Sequence, residues 1–175
     1  MDEKQMQHGC DWEGQNLTGY FLSEKLDGCR AYWDGRNLWS RGGIKVNLPS
    51  HLAQDMPSIA LDCELYDGIN GVYRAGHALK RGIFTPTMRL FVFDAPTIYG
   101  DWQLRMDTAK QSLKNSAFAQ CVDWRICNST EDALKTLIDI QKYGGEGLML
   151  RANTLTYRPG RTSNLIKVKS QKPRE

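Results

Sequence analysis

Lys25 stands two residues before Asp27, with Gly28 next and Arg30 two further on, inside Ser23-Glu24-Lys25-Leu26-Asp27-Gly28-Cys29-Arg30. A lysine amine is a nucleophile only when neutral, and its ordinary pKa of about 10.4 has to be lowered by burial or by nearby positive charge. The chain offers such charge near its other end, where Leu165-Ile166-Lys167-Val168-Lys169 sets Lys167 and Lys169 on one face of an expected strand. In extended chain, Lys25 and Asp27 share a face while Leu26 turns to the core, and Gly28 permits a backbone conformation that a side chain resists. Acidic groups recur at the same period in Leu61-Asp62-Cys63-Glu64-Leu65. Turned inward, Asp62 and Glu64 need a metal, a sugar hydroxyl or a basic partner. Each feature also has a plain reading. An isolated K-x-D-G describes a surface lysine beside a turn, Arg30 and Arg41 can simply face solvent, and Phe91 and Phe93 on one strand face read first as core.

The elements that must position these groups are mostly strands. Tyr20-Phe21-Leu22 leads into the Lys25 stretch. Residues 29–33 and 37–41, joined through Asp34-Gly35, form the clearest hairpin, with a tight primed turn expected. Arg30 and Arg41 then lie near its two ends, and Ser40-Arg41-Gly42-Gly43 follows as a flexible turn. Further strands are expected over 59–66, 88–94, 121–127, 146–151 and around Lys167. A helix over 102–114 has Asp101 as N-cap and Met106, Ala109 and Leu113 at helical spacing. Another opens on Ser129-Thr130-Glu131-Asp132, carries the stripe Ala133, Leu134, Leu137, Ile138 and Tyr143, and ends at Gly144-Gly145. A short helix is read over 74–81 and a turn over 156–163. Residues 1–19 carry little signal and are read as an N-terminal segment. Many strands in hairpins with two clear helices make the fold class α+β, with largely antiparallel sheets.

The 175 residues, 41% hydrophobic and 25% charged, suit one large domain or two small subdomains with a core that needs no disulfide. No apolar run approaches the ~20 residues of a bilayer span, and the first residues have no apolar h-region. A cytoplasmic protein without a membrane partner is expected. Cys10, Cys29, Cys63, Cys121 and Cys127 lack metal-ligand spacing and read as reduced, structural residues. The net charge of +3 does not by itself mark a nucleic-acid binder, but its distribution is informative. From Arg151 onward come Arg158, Arg161, Lys167, Lys169, Lys172 and Arg174 against Glu175 alone, interleaved with Leu165, Ile166 and Val168. That is a folded basic surface, for which phosphate is the natural counter-charge.

Taken in order, the Lys25-to-Arg30 stretch, Ser40-Arg41-Gly42-Gly43, Leu61-Asp62-Cys63-Glu64-Leu65, Phe91-Val92-Phe93-Asp94, Glu146-Gly147-Leu148-Met149-Leu150-Arg151 and Leu165-Ile166-Lys167-Val168-Lys169 resemble a known motif series. It is that of the adenylation (nucleotidyltransferase) domain of ATP-dependent DNA ligases, in particular the minimal bacterial and phage enzymes. The resemblance runs over 23–169. It implies a nucleotidyltransferase fold over 20–175, with antiparallel sheets flanked by helices and a nucleotide cleft between two subdomains. By the same resemblance Lys25 would attack the α-phosphorus of ATP, expel pyrophosphate and carry AMP. The AMP would pass to the 5′-phosphate of a nick in double-stranded DNA, and the 3′-hydroxyl would displace it to seal the strand. Lys169, with Lys167, would contact the α-phosphate and help keep Lys25 neutral. Glu64 would hold the ribose, Phe93 would stack on adenine, and Ser23 and Glu24 would lie near the base. Arg30 and Arg41 would hold ribose or the nick 5′-phosphate. Glu146 and Asp27 would assist metal binding or orient the nucleophile, with Asp62 a second metal carboxylate. Magnesium is implied because pyrophosphate needs its charge balanced. The working unit would be a monomer.

The chain departs from the pattern at Cys63, where the family usually has glycine, and at its end. Ligases continue into an OB-fold domain, which is absent from this chain, so slow self-adenylation and poor sealing are expected of it. Two other readings remain open. An RNA ligase or a GTP-using capping enzyme also uses a K-x-(D/H)-G lysine, and a non-catalytic nucleic-acid-binding module would use the basic block with Trp33 and Trp39.

Overall fold

The computed structural model describes residues 3–169; Lys172 and Arg174 of the basic block lie outside them. The strands, in chain order, are β1 (Gln7–Asp11), β2 (Phe21–Lys25), β3 (Cys29–Trp33), β4 (Leu38–Ser40), β5 (Leu61–Tyr66), β6 (Arg89–Asp94), β7 (Ala119–Cys121), β8 (Trp124–Ile126), β9 (Gly147–Arg151) and β10 (Gly160–Lys169). The helices are α1 (Ser50–Ala53), α2 (Val72–Arg81), α3 (Trp102–Ser112) and α4 (Thr130–Lys142). The chain forms two units. The first takes residues up to Gln7, Asp27–Val122 and Thr154–Gly160, and the second takes His8–Leu26, Asp123–Asn153 and the chain from Arg161.

The first unit is built on a sheet in the order β4-β3-β5-β6-β7, antiparallel except for the β6–β7 pair. Period-two alternation decides its faces. Leu61, Cys63 and Leu65 of β5 and Leu90 and Val92 of β6 are fully buried on one side. The helices α2 and α3 pack on the sheet, α2 against β3 and β5, α3 against β6 and β7. The Asp101 side chain caps α3 by accepting from the Leu104 amide, and Trp102, Arg105, Met106 and Ala109 line its buried face. Inside this core Asp94 and Arg105 form an ion pair of 2.7 Å, and Arg105 also donates to the carbonyls of Gly100 and Thr154. Phe91 and Phe93, expected in the core, lie on the other face of β6, because Leu90, Val92 and Asp94 are the residues turned inward.

The hairpin of β3 and β4 is present. Beyond the Trp33–Leu38 pair the Asp34 amide donates to the Asn37 carbonyl at 3.0 Å, which leaves Gly35 and Arg36 at the tip, with Gly35 at φ +94°. The Asp34 side chain reinforces the turn: Oδ1 accepts from the amides of Arg36 and Asn37, and Oδ2 from the Trp39 indole. Gly28 is required for space, not for an unusual backbone angle, since a Cβ there would lie 2.2 Å from the Leu65 carbonyl oxygen. Gly28→Ala is therefore expected to push β3 and β5 apart and to cost about 2 kcal/mol, measured by urea unfolding.

The second unit has the sheet order β1-β10-β9-β2-β8, with α4 packed on β9. Its core joins Leu22, Leu148, Leu150, Ile166 and Val168 to Leu17, Ala133 and Leu137. β1 comes from the stretch whose sequence carried little signal. The expected strand over 121–127 is two strands in two sheets: β7 pairs with β6, and β8 pairs with β2. On α4 the inward line is Ala133, Leu137 and Ile140, at i, i+4 and i+7, whereas Ile138 and Tyr143 are exposed. The Ser129 side chain caps this helix by accepting from the Asp132 amide. Among the described residues no helix is long and apolar enough to cross a membrane.

Candidate active site

Three strands of the second unit meet at Lys25, Gly147 and Lys169. Lys25 is the last residue of β2, Lys169 the last of β10, and both are paired in register with Gly147, the first of β9 between them. Gly147 carries no side chain to separate the two lysines, and a Cβ there would meet the Val168 carbonyl oxygen at 2.4 Å. Glu146, one residue earlier, divides its carboxylate between them. Oε2 accepts from Lys25 Nζ at 2.7 Å, and Oε1 forms an ion pair with Lys169. Burial alone would raise the Glu146 pKa, but the hydrogen bonds from Lys169 and Lys25 outweigh it and hold the carboxyl below its usual range. The bond to Glu146 in turn raises Lys169.

The other second-unit candidates lie on two of these strands, β2 and β10. Lys167 shares the β10 face with Lys169 but pairs with Asp11 at 3.2 Å. Ser23 is buried between Met149 and Trp124 in register. A Cβ built at Gly145 would come within 2.9 Å of Glu24 Oε1, and partial burial raises the Glu24 carboxyl.

In the first unit the sheet face away from the helices carries Arg30, Asp62, Glu64 and Phe93. Arg30 is opposite Glu64, and it forks Asp62 through Nε at 2.7 Å to Oδ1 and Nη2 at 2.6 Å to Oδ2. Its guanidinium carbon lies 4.9 Å from the centroid of the Phe93 ring. Burial opposes the charge of Arg30, but Asp62 outweighs it, and the pKa of the guanidinium is raised. Arg41 is exposed and ion-paired with Glu3. Asp27 is exposed and lies past the end of β2, so the alternation that would put it on the Lys25 face stops at Lys25, and Leu26 is only half-buried. Thus the structure gathers Lys25, Glu146 and Lys169 in one group and Arg30, Asp62 and Phe93 in another.

No family model matches the sequence. A DNA ligase of Haemophilus influenzae is 27% identical over 168 residues, which are 94% of this chain and 63% of that ligase. The chain therefore spans less than two thirds of this curated relative. Among solved structures, one of a Lig E DNA ligase superposes with a TM-score of 0.84 at 26% identity, covering 94% of this chain and 68% of that one. The chain has the nucleotidyltransferase fold of the ATP-dependent DNA ligases. The Chlorella virus DNA ligase-adenylate matches at a TM-score of 0.76 and 19% identity, over 95% of this chain and 67% of that one. The ATP-dependent DNA ligase of bacteriophage T7 in complex with ATP matches at 0.69 and 14%, over 95% and 69%. The resemblance read from the ordered motifs and the α+β class with mainly antiparallel sheets are both borne out.

Two features of this chain have no local sequence signal. Tyr157 bonds to Asp62, and Asp11 pairs with Lys167; neither falls in a motif, and Tyr157 lies in a stretch that reads as a plain turn. Glu146 also gives a pH dependence. Its folded pKa is below its unfolded value of about 4.5, so its stabilising contribution is complete above that pH and is lost as pH falls through the folded value. The difference in melting temperature between the wild type and Glu146→Gln is expected to shrink steadily below pH 4.5.

Proposed function

We propose that the chain is the catalytic adenylation domain of an ATP-dependent DNA ligase. Lys25 Nζ attacks the α-phosphorus of ATP: the N–P bond forms, the bond to the β-phosphate oxygen breaks, and pyrophosphate leaves. A 5′-phosphate oxygen at a DNA nick then takes the adenylyl group from Lys25. The 3′-hydroxyl finally attacks the 5′-phosphorus and releases AMP. The observation that carries this reading is the cluster of Lys25, Glu146 and Lys169. Glu146 Oε2 holds the amine at 2.7 Å and is the atom placed to take its proton as the N–P bond forms. Lys169 and Lys167 supply positive charge for the α-phosphate, where fixed charge is worth most. On the first unit, Phe93 takes adenine with Arg30 backing the ring, and Glu64 takes the ribose. Arg41 is exposed, as a contact to the nick phosphate requires.

Magnesium, when bound, offsets the charge of the departing pyrophosphate. It binds through one or two carboxylates together with substrate phosphates. Both oxygens of Glu146 accept from Lys25 and Lys169, and both of Asp62 from Arg30 and Tyr157, so neither carboxylate fits that role without giving up a partner, and the substrate phosphates would hold the ion. The five free cysteines support a reducing compartment, the cytoplasm, and one nick needs only a monomer.

The test is transfer to DNA. The chain, charged with ATP and magnesium and freed of nucleotide, is given a nicked duplex labelled at the 5′-phosphate. Slow appearance of adenylated DNA, with little sealed strand, is expected with ATP and not with GTP. A chain that transfers GMP, or that seals only an RNA nick, would overturn the DNA ligase reading.

A further inference from the structure

One set of polar groups in the first unit closes on itself. The Gln7 amide donates to Tyr157 Oη at 2.7 Å, and that hydroxyl donates to Asp62 Oδ2 at 2.7 Å. Asp62 also accepts both arms of the Arg30 fork, and Arg30 Nη2 returns to the Gln7 carbonyl at 2.9 Å. The ring thus runs Gln7, Tyr157, Asp62, Arg30 and back to Gln7. Asp62 is fully buried, so each bond acts at low local dielectric and the members polarise one another.

The consequence reaches Phe93. A guanidinium is planar, and a bidentate carboxylate fixes the orientation of that plane. Asp62 sets the plane of Arg30, and Arg30 lies against the Phe93 ring. Tyr157 holds the carboxylate through the same oxygen, Oδ2, that receives Arg30 Nη2, so the Tyr157 hydroxyl determines how the fork sits. We propose that Tyr157 is a positioning residue for nucleotide binding, acting through Asp62 and Arg30 on the orientation of Phe93. The proposal rests on the adenylation reading, which makes Phe93 the adenine contact. Tyr157 itself touches no nucleotide in this scheme.

Tyr157→Phe removes one oxygen and keeps the ring, so the fold is retained, with circular dichroism as the check. ATP binding is measured on the full chain by titration calorimetry, and the rate of adenylyl transfer at saturating ATP is measured separately. The expected result is an ATP affinity about tenfold weaker, the scale of one lost hydrogen bond to a charged group. The saturated rate is expected to stay within about twofold, since no group that acts only in the transition state is lost. In a Phe93→Leu background the same substitution is expected to change ATP affinity little, because the ring it orients is gone. Equal loss in both backgrounds would show a purely structural role and overturn the proposal. So would unchanged affinity in the wild-type background. A wild-type chain that fails to bind ATP would overturn the adenylation reading and this proposal with it, whereas a wild type that binds ATP while Tyr157→Phe matches it overturns the role of Tyr157 alone.

Discussion

Lys25→Ala is expected to lower transfer of the adenylyl group from ATP to the protein by more than about 10⁴-fold, the scale on which removal of a covalent nucleophile acts. No other group of the cluster can replace it. Glu146 is a carboxylate, and Lys169 is the other cation it holds, raised in pKa by that bond and so further from a neutral amine. Lys25→Arg separates chemistry from packing. It keeps a cation beside Glu146 but offers no neutral nitrogen at working pH. The arginine variant is expected to melt within a few degrees of the wild type and to be equally silent. Measurable transfer by either variant would mean that another residue carries the adenylyl group.

Arg105→Ala is expected to cost about 3–5 kcal/mol of folding stability, more than any other substitution considered. The reason is what it leaves behind. Asp94 is 2% exposed, and its carboxylate would lose the fork from Arg105 while remaining buried. The carbonyls of Gly100 and Thr154 would lose a donor in the same step. Urea unfolding should show a midpoint shift at nearly constant slope. Replacing both partners by apolar residues, as in Asp94→Leu with Arg105→Met, should recover most of the loss, because no buried charge is then left without its ion-pair partner. A single substitution that costs no more than an exposed ion pair would refute this account of the core.

The contrast between these two sites shows what can be read from sequence. The strand that ends on Lys25, the hairpin after it and the acidic alternation of β5 are local patterns and are in place, whereas Asp27 misses the Lys25 face because β2 stops at Lys25. Phe93 was legible as an aromatic on a strand, but its face was not, because Phe91 and Phe93 alternate with Leu90 and Val92, which are equally apolar. The partner residues decide which set turns inward. The seven residues from Cys121 to Cys127 look continuous, yet Val122 donates to the Val92 carbonyl and Cys127 to the Tyr20 carbonyl, each on a different sheet. Periodicity cannot register such a change of partner. Glu146 and Lys169 meet Lys25 only through the register of β2, β9 and β10, a long-range property that the ordered motifs convey by resemblance alone. Tyr157 is separated from Asp62 by 95 positions and from Gln7 by 150, so nothing local announces their contact.

The most direct test of the central claim is the intact mass of the purified chain before ATP, after ATP with magnesium, and again after pyrophosphate, with Lys25→Ala in parallel. The expected result is an increment of one adenylyl group that pyrophosphate removes and that Lys25→Ala never acquires. An increment that persists in Lys25→Ala, or a wild-type chain that gains none while still binding ATP, would contradict it.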